Sequence, residues 1–335
     1  MSTANTAGAA GATATVGIKV IICDCDHENV ENERRVFEAA GLQFRWLHCE
    51  TQDEVIEQCV GAAVLLNQYV RMDRYVFERL PTLKCVVRYG VGVDNVNLAD
   101  ASEFGVQVCN VPDYGVNEVA DHALALMLAL DRRVLEADAF VKSGRWDYTK
   151  IIPVYRHSEQ TVGIVGVGRI GTAFAQRVRS LGCRLLGTDI EYGRPGRVFP
   201  DFVEFVTLEE LLRSSDVVSL HCSLTELSAD LICDRTLALM KRSAYLVNVS
   251  RGGLVDEGAL ARALRSGAIA GAAADVLKKE PMGPGHAFLS IPNLILTPHM
   301  AWYSEQSAEE MKRKCAEEAV RFLRGERVRC PVNKI

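Results

Sequence analysis

The sequence predicts an α/β protein with two doubly wound parallel-sheet domains, Rossmann-like or flavodoxin-like, and an active-site cleft between them. From Ile18 onward, short apolar strands alternate with amphipathic helices, a glycine-rich turn lies near the middle, and polar side chains follow three later strands. Strands separated by helices of this length form parallel sheets through right-handed crossovers. A chain of 335 residues is long enough for two domains with sizeable cores.

Composition narrows the class of protein. Hydrophobic residues make up 48% and charged residues 24% of the chain, as in soluble globular proteins. A formal net charge of −5 without a basic run gives no electrostatic reason to bind nucleic acid. No segment approaches the ~18 apolar residues that span a bilayer, so we expect no membrane association.

The cysteines indicate a reduced compartment. There are eleven, scattered along the chain, and no secretion signal precedes them. We therefore expect buried thiols in a cytoplasmic protein. The one close pair, Cys23 and Cys25, has no second ligand pair, so we expect no metal site.

The first predicted unit contains five strands and three helices. The strands are predicted at residues 19–25, 43–49, 62–67, 84–88 and 106–111, and the helices at 31–40, 52–60 and 74–80. Glycine or proline follows each helix, as expected at helix ends. The opening strand lacks a G-x-G-x-x-G turn, so this unit is not expected to bind a dinucleotide. Residues 1–17, mostly Ala, Thr and Gly, are predicted to form a disordered tail.

One long helix is predicted at residues 117–143, because apolar side chains recur at helical spacing. We expect it to connect the two domains, and we expect the aromatic, irregular stretch 144–155 to pack on a partner subunit. Further strands are predicted at residues 183–188, 217–221, 243–249, 271–276 and 294–297, with helices at 172–181, 256–266 and 304–323. The last helix follows the second sheet, and we expect it to return to the first domain.

Residues 161–171 predict a strand, a glycine turn and the start of a helix. Gly166, Gly168 and Gly171 fit G-x-G-x-x-G, which lets a backbone approach a pyrophosphate at a helix N-terminus. The next strand ends in Asp189, eighteen residues beyond Gly171 and close to the ~20 typical of an acid that binds the adenosine ribose. An ordinary strand-to-helix turn is the alternative, but the flanking elements favour NAD. Asp189 would repel the 2′-phosphate of NADP, although Arg194 and Arg197 follow in the same loop.

Three segments with polar groups, residues 248–256, 275–281 and 296–302, follow successive strands. They bring Arg251, Glu280 and His299 to one end of the sheet. Reduction of a 2-keto acid needs a cation that holds the substrate carboxylate and polarises its carbonyl. It also needs an acid that gives a proton to the alkoxide, and a carboxylate that orients this acid. Each residue alone is more often a surface charge or a capping group. Their combination at successive strand ends predicts catalysis.

These residues and motifs resemble the D-isomer-specific 2-hydroxyacid dehydrogenases over residues 18–334. The matching stretches are 163–171, 220–225, 246–256, 275–281 and 297–299. Within that family the chain is most similar to the branch that contains the C-terminal-binding proteins, through residues 88–95, 109–112 and 297–307.

The resemblance implies a role for many single residues. Arg251, Glu280 and His299 match the family's catalytic arginine, glutamate and histidine. The implied substrate-binding residues are Arg88, Gly90, Val91, Gly92 and Trp302. Besides the three glycines, the implied NAD-binding residues are Arg169, Ile170, Asp189, Cys222, Ser223, Leu224, Thr225, Ser228, Val249, Ser250 and Asp275. It further implies a discontinuous substrate domain (residues 18–116 with 303–335), an NAD-binding Rossmann domain (residues 117–302) and a homodimer formed largely through the NAD domain.

The function implied is that of an NAD-dependent D-2-hydroxyacid dehydrogenase, which transfers a hydride between NADH and a small 2-keto acid with His299 as acid and base. The alternative is an NAD(H)-sensing scaffold or corepressor-like protein, since the C-terminal-binding relatives keep the same catalytic residues. The long tail and the basic import signal expected of such a corepressor are not seen here. Tyr89, Tyr114 and Trp302 suggest an aromatic wall beside the substrate.

Overall fold

The computed structural model describes residues 19–335, so the predicted tail at residues 1–17 lies outside the described residues. The chain divides into two compact units. The first unit consists of the chain up to Pro112 together with Glu309–Ile335. The second unit is Asp113–Ala308. Each unit has its own sheet, and every strand pairing in both sheets is parallel.

The first unit contains a five-stranded sheet in the order β2-β1-β3-β4-β5, the order of flavodoxin-like folds. Its elements are β1 (Val20–Ile22), α1 (Glu31–Ala39), β2 (Phe44–Trp46), α2 (Gln52–Gln58), β3 (Val64–Asn67), α3 (Arg74–Arg79), β4 (Cys85–Arg88), α4 (Leu98–Glu103) and β5 (Gln107–Cys109). All five predicted strands and three predicted helices are confirmed, most of them with shorter bounds. Helix α4 was not predicted.

Tyr89 lies in the core of the first unit. Its side chain is 1% exposed, and its hydroxyl donates a 2.8 Å hydrogen bond to the carboxylate of Glu33 on α1. The ring of His27 packs edge-on against it. The prediction that Tyr89 belongs to an aromatic wall beside the substrate is therefore wrong. Burial and the neighbouring Glu33 carboxylate also hold the pKa of the Tyr89 hydroxyl well above its usual value, so the hydroxyl stays protonated.

The second unit contains a seven-stranded sheet in the order β12-β11-β10-β9-β6-β7-β8. Its elements are α5 (Val116–Asp131), α6 (Val134–Lys142), β6 (Thr161–Val165), α7 (Arg169–Arg179), β7 (Arg184–Thr188), β8 (Glu204–Phe205), α8 (Leu208–Ser214), β9 (Val217–Leu220), α9 (Asp234–Leu237), β10 (Tyr245–Asn248), α10 (Glu257–Ser266), β11 (Gly271–Ala274) and β12 (Leu294–Leu296). Strand order reverses at β6, between β7 and β9, as in dinucleotide-binding folds.

Apolar side chains cover both faces of this sheet. Neighbouring residues in a strand point to opposite faces, and here Val217 and Val218 belong to two different apolar clusters. The cluster with Val217 includes Phe174 of α7, whereas the one with Val218 includes Leu260 of α10. Because both faces are buried, the strands are continuously apolar, and polar side chains concentrate where the strands end.

The predicted single helix at residues 117–143 is wrong, because the chain forms two helices, α5 and α6. Arg133, between them, has a left-handed backbone with φ of 50°. Its guanidinium donates to the carbonyl oxygens of Ile151 and Ile152 at 2.9 and 2.8 Å and pairs with Glu136. Apolar spacing continues across the break, so periodicity alone could not reveal it. Both helices belong to the second unit, which removes the basis for the predicted connector.

Helix α11 (Glu305–Leu323) closes the chain, and its residues from Glu309 onward belong to the first unit. There the thiol of Cys315 donates to the carbonyl of Arg88 at the end of β4. All eleven cysteines lie within residues 19–335, and each is a free thiol. In that part of the chain, no helix is both long and apolar enough to cross a bilayer.

Candidate active site

The glycine turn between β6 and α7 has backbone contacts that exclude side chains. Gly166 has φ of 88°, and a Cβ placed there would lie 2.5 Å from the backbone nitrogen of Cys222. A Cβ on Gly171 would lie 2.0 Å from the carbonyl oxygen of Gly166. A Cβ on Gly168 would meet no atom of the described residues within 4 Å. The turn is therefore closed behind Gly166 and open at Gly168, as required for a pyrophosphate at the start of a helix whose first residues are Arg169 and Ile170.

Asp189 follows β7 and is held by two backbone amides. Its Oδ2 accepts from the N–H of Val167 at 2.9 Å, and its Oδ1 accepts from the N–H of Glu191 at 2.8 Å. Each carboxylate oxygen can accept a second hydrogen bond, so both oxygens retain capacity for the two ribose hydroxyls. The charge and position of Asp189 fit the adenosine ribose of NAD.

The loops after β9 and β10 contain seven more of the predicted cofactor residues. Within the β9 loop, the Ser228 hydroxyl accepts from the N–H of Thr225 and donates to the carbonyl of Ser223, both at 2.8 Å. The Ser250 hydroxyl links the two loops by donating to the carbonyl of Cys222 at 2.6 Å. Of the remaining members, Val249 is buried and Leu224 partly buried. Burial raises the pKa of the Cys222 thiol to about 11, so this thiol is neutral.

Arg251 lies on a turn that is tied to the end of β10. The Asn248 side chain accepts from the N–H of Ser250 at 3.1 Å and donates to the carbonyl of Arg251 at 2.9 Å. A Cβ on the next residue, Gly252, would lie 1.9 Å from the carbonyl carbon of Leu277. The Arg251 loop and the Leu277–Glu280 loop therefore touch backbone to backbone, which brings the guanidinium close enough for its charge to act on Glu280.

His299 and Glu280 form a close pair, with 2.5 Å between Nδ1 and Oε2. The other carboxylate oxygen of Glu280 accepts from the N–H of Leu277 at 2.8 Å. Burial acts to raise the pKa of Glu280, but hydrogen bonding and charge from His299, the Leu277 amide and Arg251 outweigh it, so the pKa is lowered. Glu280 is therefore anionic at neutral pH. The two side chains are 40% and 35% exposed, which leaves the pair accessible to a small molecule.

The backbone at His299 is left-handed, with φ of 51°, and Asp275 holds it there. The Asp275 side chain is 1% exposed and accepts from the Thr297 hydroxyl at 2.6 Å and from the amides of Met300 and Ala301, both at 2.9 Å. Its carbonyl accepts from the N–H of His299 at 2.8 Å. Asp275 thus organises the His299 loop, and the NAD contact that the resemblance implies for this residue stays a prediction.

His122 was not predicted to be part of the site, and Thr297 was named only within the segment that contains His299. His122, on α5, lies 3.1 Å from the Thr297 hydroxyl through Nε2 and 3.6 Å from Asp275. No local pattern could have revealed His122, because α5 and the loop after β12 are far apart in the chain. His122 and Thr297 extend the support of the His299 loop to helix α5.

The predicted substrate-binding residues belong to both units. Trp302, in the second unit, packs edge-on against Tyr114, with ring centroids 6.0 Å apart. In the first unit, Gly90 has φ of 124°, and its carbonyl accepts from the N–H of Val111 at 3.0 Å. The Asn110 side chain donates to the carbonyl of Val91 at 2.6 Å. The substrate contacts of Arg88, Gly90, Val91, Gly92 and Trp302 stay predictions.

Comparisons with known proteins agree with this geometry. Residues 124–301 match the family model described as the NAD binding domain of D-isomer specific 2-hydroxyacid dehydrogenase. A glyoxylate reductase of Korarchaeum cryptofilum is 41% identical over 276 residues, 82% of each chain. A glyoxylate reductase of Thermofilum pendens is 36% identical over 269 residues, 79% of each chain. The crystal structure of a D-lactate dehydrogenase from Aquifex aeolicus, complexed with NAD and lactic acid, is 25% identical and superposes with a TM-score of 0.83 over 92% of this chain and 96% of that chain.

Replacing Gly252 by alanine should separate the Arg251 loop from the Leu277–Glu280 loop, because the new methyl group would overlap the Leu277 backbone. Overpacking of this kind costs about 1–3 kcal/mol. We expect Gly252→Ala to lower the melting temperature by several degrees and the NADH-dependent reduction rate at least tenfold, roughly the loss from a misplaced catalytic group. The matched control is Gly283→Ala, since a Cβ there would meet none of the described atoms within 4 Å. Equal melting temperatures and rates for the two variants would contradict this account of the contact.

Proposed function

Because the chain belongs to the D-isomer-specific 2-hydroxyacid dehydrogenase family and is an NAD-dependent oxidoreductase acting on CH–OH groups, we propose that it reduces a small 2-keto acid to the D-2-hydroxy acid, with His299 as the proton donor. The observation that carries this proposal is the 2.5 Å pair of His299 and Glu280, with Arg251 acting on the same carboxylate. These three groups follow strands of the sheet that carries the dinucleotide turn.

Each residue has a distinct role in the proposed reaction. Bound NADH supplies the hydride. The planar guanidinium of Arg251 binds the substrate carboxylate and polarises the carbonyl, and the amides of Gly90, Val91 and Gly92, with Arg88 and Trp302, add further substrate contacts. With Nδ1 of His299 engaged by Glu280, Nε2 gives its proton to the carbonyl oxygen. The Glu280 carboxylate stabilises the imidazolium that this step consumes.

The residues of the glycine turn and of the next two loops are proposed to bind NAD. Gly166, Gly168, Gly171, Arg169 and Ile170 would bind the pyrophosphate, and Asp189 the adenosine ribose. The loop containing Cys222, Ser223, Leu224, Thr225 and Ser228 would run along the adenosine, with Val249 and Ser250 near the nicotinamide. Asp275 would bind the nicotinamide carboxamide.

Glyoxylate is the first substrate to test, because two relatives that cover about four-fifths of this chain are named glyoxylate reductases. Turnover should be measured with NADH and glyoxylate, hydroxypyruvate, pyruvate and larger branched or aromatic 2-keto acids. We expect reduction of at least one small member, and His299→Ala should lower the rate by ~10²–10⁴-fold while NADH binding persists. Binding of NADH without turnover of any of these acids would contradict the proposal and favour a sensing scaffold.

Replacing Glu280 by glutamine should move the pH dependence of both directions to lower pH. Reduction uses the imidazolium of His299 and so declines as pH rises, whereas oxidation of the hydroxy acid uses the neutral ring and increases over the same range. Glutamine keeps the side-chain size but removes the negative charge that pairs with the imidazolium, so the Glu280 side chain no longer stabilises the form that reduction uses. The check is kcat/KM against pH in both directions. Unchanged profiles would leave Glu280 with a structural role only.

We also propose that the protein forms a homodimer through residues 134–155 of the NAD-binding unit. Eight of the twenty exposed large hydrophobic side chains among residues 19–335 lie in this short segment. They are Val134, Leu135, Val141, Trp146, Tyr148, Ile152, Val154 and Tyr155. Exposed apolar surface concentrated in this way is typical of protein–protein contacts. Arg133, just before the segment, donates to the carbonyls of Ile151 and Ile152 near its other end and so ties the two ends together.

The double substitution of Trp146 and Tyr148 by glutamate should weaken this dimer. The two side chains are 88% and 80% exposed, so the change should not disturb the monomer, and loss of aromatic anchors commonly costs more than ~1 kcal/mol each. Sedimentation velocity should show a dimer for the wild type and an equilibrium shifted to monomer for the variant. Val198→Glu is the control, since Val198 is 95% exposed outside the segment. A dimer equally stable in both variants would exclude this surface.

A further inference from the structure

The loop that follows Asp189 contains two arginines paired with one carboxylate. The Oε1 of Glu191 lies 2.5 Å from Nη1 of Arg194, and its Oε2 lies 3.3 Å from Nε of Arg197. The arginine side chains are each 61% exposed, whereas that of Glu191 is 27% exposed. The carboxylate therefore lies inside the loop, with a guanidinium on each oxygen.

Backbone hydrogen bonds fix this arrangement relative to Asp189. The N–H of Glu191 donates to the Asp189 carboxylate at 2.8 Å. The N–H of Arg194 donates to the carbonyl of Glu191 at 3.1 Å, and the N–H of Arg197 donates to that of Arg194 at 3.2 Å. Two successive turns thus keep both arginines next to Glu191. Gly193 and Gly196 allow these turns, with φ of 80° and 81°.

This loop lies where NAD and NADP differ. In dinucleotide-binding folds the acid after the second strand binds the ribose 2′-hydroxyl, and an arginine nearby accommodates the 2′-phosphate of NADP. Asp189 takes the position of that acid, and Arg194 and Arg197 follow it by five and eight residues. A phosphate that approached them would have to compete with the Glu191 carboxylate for the same guanidinium groups.

We propose that Glu191 is a specificity-determining residue, which selects NAD by occupying the two arginines that would otherwise bind the 2′-phosphate of NADP. The charges of Asp189, Glu191, Arg194 and Arg197 balance, so the loop offers no net attraction to a phosphate dianion. Without Glu191 the same loop has a net charge of +1 and two guanidinium groups in a fixed turn. The inference rests on the proposed function, because it assigns the cofactor preference of the proposed reductase.

The test compares three variants by direct binding of NADH and NADPH, followed through nicotinamide fluorescence, which requires no turnover. Glu191→Gln should tighten NADPH binding at least tenfold, the gain expected from one charge-assisted hydrogen bond. NADH binding should change little, because NADH has no 2′-phosphate. The gain should disappear in the triple variant Glu191→Gln, Arg194→Gln, Arg197→Gln. It should also shrink as salt is added, because both guanidinium groups are exposed.

Glu204→Gln is the charge-matched control. Glu204, on β8, is 2.7 Å from Arg184 at the start of β7, so its loss removes the same charge and breaks a similar exposed ion pair outside the loop. The proposal expects no gain of NADPH affinity in this variant. It is overturned if Glu204→Gln gains as much as Glu191→Gln, or if the gain of Glu191→Gln survives without the two arginines. These experiments measure only cofactor binding. A negative result in the keto-acid assay would therefore not be confused with either outcome that overturns this proposal.

Discussion

The hydrogen bonds accepted by the buried carboxylate of Asp275 are the interaction on which the candidate site of the second sheet depends. This carboxylate accepts three hydrogen bonds from the loop that contains His299, a loop whose backbone is left-handed at the histidine itself. A β-branched or apolar replacement would leave those donors buried and unsatisfied, which is far more costly than loss of a surface contact. The 2.5 Å approach of His299 to Glu280 is thus a consequence of a group that touches neither side chain.

Much of the architecture could be predicted from local sequence, because the signals that specify it are local. Apolar runs bounded by glycine and proline identified strands β1 to β5 and most of the second sheet. Helices α4, α8 and α9 and strand β8 were not predicted. They are short, with six, seven, four and two residues, so their apolar spacing is weak. The break at Arg133 depends on hydrogen bonds to Ile151 and Ile152, which the flanking apolar spacing does not encode.

The candidate site shows the same division between local and distant information. Arg251, Glu280 and His299 could be proposed from sequence because each follows its own strand, and parallel strands bring their ends to one edge. The contacts that hold these three residues in place could not be predicted from the sequence. The steric need for Gly252 arises from Leu277. Asp275 meets His122 of α5 and Thr297 after β12 only once the chain has folded. Tyr89 was wrongly predicted to line the site because it precedes Gly90 in the sequence. Its side chain is buried in the core of the first unit.

The neutral Cys222 thiol has a practical consequence for chemical labelling. Thiolates, not thiols, react with maleimides and peroxides, and burial raises the pKa of Cys222 to about 11. Cys233, at the start of α9, is the opposite case, because hydrogen bonds from the Thr236 backbone and side chain lower its pKa. A fluorescent maleimide would therefore attach at Cys233 before it reached the nucleotide loop, and a dye placed there would report on the second unit while leaving the cofactor contacts intact.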